Sequence, residues 1–142
     1  MIKYIIIFFS LLALQTCKNT KANHDKPQMK SQQINLEGAW HVISLQGIDS
    51  ISKKPTLIFN TENNTISGNA GCNSYGGSFI IDGNKITIKK GFSTKMYCSN
   101  MNIENAFFEN LKKITTYTIE NDTLLLLSDK NKTQIILEKK IN

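Results

Sequence analysis

From Leu36 to Asn142 the chain is a series of short β-type runs, each halted by residues that favour a turn. This punctuation restricts the fold more than any other feature. Ser78-Phe79-Ile80-Ile81 meets Asp82-Gly83-Asn84, and Lys85-Ile86-Thr87-Ile88-Lys89 returns. A D-G pair between alternating isoleucines predicts a hairpin, because glycine supplies the positive φ that a two-residue turn needs. Thr56-Leu57-Ile58-Phe59 and Thr65-Ile66-Ser67-Gly68 flank Asn63-Asn64, a pair that also tolerates positive φ. Trp40-His41-Val42-Ile43-Ser44-Leu45 opens the series and Gly47 stops it. Residues 116–119, 123–127 and 133–137 form a last set, with turns at Asn121-Asp122 and at residues 129–132.

One segment changes period. From Asn102 to Lys113, Ile103, Phe107, Phe108 and Leu111, continuing to Ile114, recur on one helical face. Asn100 or Asn102 can serve as N-cap, Glu104 favours the first turns, and Lys112-Lys113 suit the C-terminal end of the helix dipole. Strands, a helix and strands again predict an α+β fold that is mainly antiparallel β. It is either a curled sheet with one face covered or a small β-barrel with one packed α-helix.

The first seventeen residues have a different character. Lys3 precedes an apolar run from Tyr4 to Leu14 that only Ser10 interrupts. As a helix that run rises about 16 Å, against a hydrocarbon core of ~30 Å, so it has the size of a signal-peptide core rather than a membrane span. It ends at Leu14-Gln15-Thr16-Cys17, which resembles a bacterial lipobox. Residues 1–17 are accordingly read as a lipoprotein signal peptide, with Cys17 the lipidated first residue of the mature chain. An ordinary secretory signal with an incidental Cys17 is the alternative. Residues 18–35 are polar, contain Pro27 and show no sustained period, so they are read as a flexible tether. Their four lysines, Lys18, Lys21, Lys26 and Lys30, stand against Asp25 alone. Residues 36–142 then form one domain.

Two further cysteines, Cys72 and Cys98, lie in that domain. An even pair in an exported protein suggests a disulfide. Closing a loop of about 27 residues would stabilise the fold by roughly 3.5 kcal/mol. Metal binding with His41 and two separately buried thiols are the competing readings. Around Cys72 runs Gly68-Asn69-Ala70-Gly71-Cys72-Asn73-Ser74-Tyr75-Gly76-Gly77, a concentration of glycine that implies bent or closely approached backbone. Asn73, Ser74 and Tyr75 are the polar candidates here. They either display a recognition loop beside the bridge or serve the turn, Asn73 bonding backbone and Tyr75 packing.

These residues resemble the META-domain or HslJ-like family. The G-x-x-G-C-N-x-x-x-G core and Thr94-Lys95-Met96-Tyr97-Cys98 match its two signatures, although Lys95 stands where arginine is common. Gly38, Trp40 and Pro55-Thr56-Leu57-Ile58-Phe59 fit as well, and Met101, Glu104, Phe107 and Leu111 fit the pattern of the family's helix. The resemblance runs from about Leu36 to Lys139. It implies a lone domain whose antiparallel sheet curls toward a conical barrel with one helix against it. Many members are envelope lipoproteins, and some are linked to heat or stress responses.

The chemistry suggested by composition is sparse. All 17 basic side chains are lysine, so the bidentate fork that arginine offers to phosphate and guanine is missing. With export, this argues against a nucleic-acid partner. No G-K-[ST] follows the glycines, so they do not form a phosphate loop. His41 is expected on a strand surface or satisfied in the core, and no catalytic group, cofactor or metal site is assigned. The expected function is that of a non-enzymatic envelope lipoprotein, a monomer anchored by Cys17 at the outer membrane and facing the periplasm, with a binding or stress-related role. The alternative is a pilotin-like or carrier module whose barrel holds an acyl chain or hydrophobic peptide tail. The partners implied are the membrane and a periplasmic protein or small apolar ligand.

Overall fold

In the computed structural model the described residues are 35–140. The signal peptide, Cys17 and the tether up to residue 34 lie outside them. Eight strands and one helix follow in order: β1 (Gly38–Leu45), β2 (Thr56–Asn60), β3 (Thr65–Asn69), β4 (Ser74–Asp82), β5 (Lys85–Ser93), α1 (Asn102–Leu111), β6 (Ile114–Glu120), β7 (Thr123–Ser128) and β8 (Thr133–Lys139). Each strand pairs antiparallel with the next. β8 returns to β1 with His41 opposite Glu138 and Val42 opposite Leu137, so the sheet is a closed barrel rather than an open curl.

The turns form where the residue types allow positive φ. Asn64, Asn121 and Asn131 have φ of 56°, 55° and 52°, and Gly83 between β4 and β5 has 61°. Asparagine visits this region because its short amide bonds locally. Each strand then turns alternate side chains inward. Trp40, Val42, Leu57, Phe59, Leu124, Leu126, Ile135 and Leu137 are wholly buried. A bulge between Val42 and Ser44 breaks the alternation in β1 and lets Leu45 point inward as well. Phe79 meets Phe59 edge-to-face at 5.2 Å between ring centroids. Full burial of each such side chain contributes about 1.5–3 kcal/mol, so the filled interior is the main source of stability.

The helix sits between β5 and β6 in sequence and packs on the barrel. It starts at Asn102 with Met101 at the capping position, and Asn100 Oδ1 accepts the Asn102 N–H at 2.9 Å from one residue further out. Its buried face is Glu104, Phe107, Asn110 and Leu111, whereas Ile103 and Phe108 are only partly covered. Two polar residues therefore lie on the face that spacing assigns to apolar ones. Because α1 begins after β5 and β6 starts only at Ile114, the seam between β5 and β6 has a single register pair, Lys85 opposite Thr116. The glycine-rich segment also departs from a plain loop. Strand β4 begins at Ser74, and only residues 70–73 join it to β3.

Candidate functional site

The loop between β3 and β4 is built backbone first. Asn69 Oδ1 accepts the Gly71 N–H at 2.8 Å, and the Ala70 N–H donates to the Asn73 carbonyl at 2.8 Å. Gly71 has φ 114°, a conformation that L side chains rarely adopt, and a Cβ there would lie 3.3 Å from Ile103 of the helix. The loop can therefore press against the start of α1 only with glycine at this point.

That approach brings Asn73 to Glu104. The Asn73 N–H donates to Glu104 Oε2 at 2.7 Å and its amide Nδ2 donates to Glu104 Oε1 at 3.0 Å. Asn73 Oδ1 accepts from Thr94 Oγ1 at 2.8 Å and from the Met96 N–H at 2.6 Å, while Nδ2 also reaches the Met96 carbonyl at 3.4 Å. The amide thus uses both donors and both lone pairs. Asn73 is 3% exposed and Glu104 7% exposed, so each group left unpaired would carry a desolvation cost. Cys72 is joined to Cys98 by a disulfide, with Cα atoms 6.3 Å apart. The segment from Thr94 to Cys98 is therefore held at both ends, by the Asn73 amide and by the bridge.

This clamp fixes a backbone whose side chains face outward. Tyr97 is 96% exposed and Met96 59% exposed. Phe92, at the end of β5, is 69% exposed and lies with one ring edge where a Cβ on Gly76 would sit, 2.6 Å away. Met96 and Tyr97 thus stand on a backbone held at both ends, and Phe92 precedes them on β5, so three large apolar or aromatic side chains are exposed within six residues. A depression of about 90 Å³ lies nearby, lined by Ser52, Lys53, Gly71, Ser99, Asn100, Ile103 and Glu104. Its size suits a few waters.

The residues predicted for the site divide. Cys72 and Cys98 come together. Of the expected recognition loop, only Ser74 is exposed. Asn73 is spent on Glu104, Thr94 and Met96. Tyr75 is 2% exposed, stacks against Phe107 at 5.5 Å and donates its hydroxyl to the Thr56 carbonyl at 2.9 Å. Burial pushes that hydroxyl well above the usual phenol range. Of the two readings of Asn73 and Tyr75, display is set aside and the other holds, with Asn73 bonding backbone and Tyr75 packing, while Met96 and Tyr97 of the second cysteine segment are the exposed groups. His41 is partly exposed on β1, opposite Thr56 and Glu138. Among the described residues no three His, Cys, Asp or Glu side chains converge on a point.

Sequence reasoning missed Glu104, Met96 and Tyr97 as site residues. The signal for Glu104 was its spacing from Phe107 and Leu111, three and seven residues on, which puts a carboxylate on the buried side of the helix. For Met96 and Tyr97 it was the presence of two large side chains in an otherwise polar stretch ending in a bridged cysteine.

Among the solved structures with a similar fold are the following three. A DUF4847 family protein from Bacteroides vulgatus ATCC 8482 aligns with TM-score 0.55 and 18% identity, over 75% of this chain and 95% of its own. A protein from Burkholderia xenovorans solved by NMR aligns with TM-score 0.57 and 21% identity, over 75% and 85% of the two chains. Another NMR structure gives 0.54 and 23%, over 72% of this chain and 89% of that one. No curated protein matches the sequence. The META domain matches residues 32–141, which include both cysteine segments and every strand, and the chain belongs to the META domain family.

Proposed function

We propose that this META-domain chain is a non-enzymatic lipoprotein of the cell envelope, anchored through Cys17, whose domain binds a periplasmic protein through Phe92, Met96 and Tyr97. The observation that carries this reading is the contrast within residues 94–98: fixed backbone inside, exposed Met96 and Tyr97 outside. Large apolar and aromatic side chains exposed on a fixed backbone have the character of interface anchors. The filled interior supports a surface rather than a carrier mechanism, because Trp40, Phe59, Phe79 and Phe107 occupy the space an acyl chain would need.

Two experiments test it. A photocrosslinking residue at Tyr97, expressed in the native cell, is expected to give a discrete protein adduct that the same residue at Lys130 does not. Loss of that adduct in Met96→Ala, with unchanged melting temperature, would support the site, and equal adducts from both positions would remove it. Cys17→Ser is expected to move the protein from the membrane to the soluble fraction. Retention on the membrane would defeat the anchor.

A further inference from the structure

The thinly paired seam between β5 and β6 presents a different surface. Lys85 opposite Thr116 is the single pair across it, and the Tyr117 N–H donates to the Asn84 carbonyl at 3.0 Å. In the hairpin closed by Asp82 and Lys85, odd-numbered β5 residues bond β4 and even-numbered ones face the other way. The outward Asn84 carbonyl obeys that alternation. The Gly91 bulge then reverses it, so that the Thr94 N–H turns inward to the Ser74 carbonyl at 2.9 Å. The N–H and C=O groups of Ile88 and Lys90 consequently point away from β4, and among the described residues no strand lies across from them.

The edge is not flat or bare. Beside it Ile88, Lys90, Phe108, Leu111 and Lys112 line an apolar notch of about 30 Å³. Lys90 holds its ammonium 3.8 Å from the centre of the Phe108 ring. Lys89 is exposed, and Lys112 is bonded at 2.7 Å to Glu109. We infer that this edge takes an extended acidic segment of another protein as an added strand. Its backbone would bond Ile88 and Lys90, a small apolar side chain would enter the notch on the face that Ile88 and Lys90 share, and its carboxylates, on the opposite face, would meet Lys89. The same lysines and bulge disfavour pairing with a second copy, which would bring like charges together. The inference does not rest on the surface at Met96 and Tyr97.

The test uses the full-length, isotopically labelled chain and a short peptide of alternating Glu and Val. Binding is expected to move the Ile88 and Lys90 amide resonances downfield and slow their hydrogen exchange. Lys89→Glu with Lys90→Glu is expected to weaken binding by about tenfold or more, whereas Tyr97→Ala leaves it unchanged. Should the double variant not fold, weakening of wild-type binding by added salt provides the same check. Equal binding of an alternating Lys and Val peptide, shifts confined to Met96 and Tyr97, or self-association through β5 in place of peptide binding would each overturn the inference.

Discussion

A single buried amide and a single buried carboxylate do much of the positioning in this molecule. Glu104→Gln keeps the shape of the side chain but turns one of its two acceptors into a donor facing the donors of Asn73. Its expected cost is about 1–3 kcal/mol, to be read as a shift in the urea midpoint with an unchanged slope. Tyr75 gives a pH signature. Its folded-state ionisation is raised above the ordinary 10.0 by burial, and that of Tyr117 is raised for the same reason. The stability this represents is fully present below the unfolded value and is lost as pH climbs past it. Tyr75→Phe should lower stability near neutrality by about 1 kcal/mol, since the Thr56 carbonyl loses its donor. It should also flatten the alkaline fall in stability, and urea titrations across that range would show whether it does. At this scale the sequence was only half legible. Asn73 was visible as a residue that either displays or braces, but its spacing holds no sign of a partner 31 positions away on the helix.

Among the elements, the strands were the most readable. All eight appear where alternation and turn residues place them, because a two-residue turn needs a specific backbone conformation that asparagine and glycine announce. The end of β5 and the start of β4 were not readable. Gly76 and Gly77 resemble loop residues, yet both lie in the β3–β4–β5 ladder, where a Cβ on Gly76 would meet the Phe92 ring. The helix was found by its period but its buried face was shifted, since Glu104 and Asn110 are held by polar partners that periodicity does not count. Gly71→Ala tests the contact between the β3–β4 loop and α1. Positive φ and the nearness of Ile103 together predict a loss of about 1 kcal/mol or more, or ~4–8 °C in Tm for a domain of this size, measured by differential scanning calorimetry.

For the whole molecule, strength is unevenly spread around the barrel. Native-state hydrogen exchange should find the Tyr117 amide, at the single rung between β5 and β6, opening more readily than the amides of β1 and β8. Equal protection at the two seams would contradict this picture. The closure itself had to come from the structure, because pairing Trp40 with Lys139 joins residues that no local pattern connects. It also decides how mechanical load enters. The Lys140 N–H bonds the Ala39 carbonyl at 2.8 Å, so the start and finish of the domain meet at one place. A pull delivered through residue 35 arrives at β1, a strand gripped on one flank by β2 and on the other by β8. On the proposed anchoring through Cys17, load would reach the domain at β1, and the seam with its single β5–β6 rung would lie out of the line of force.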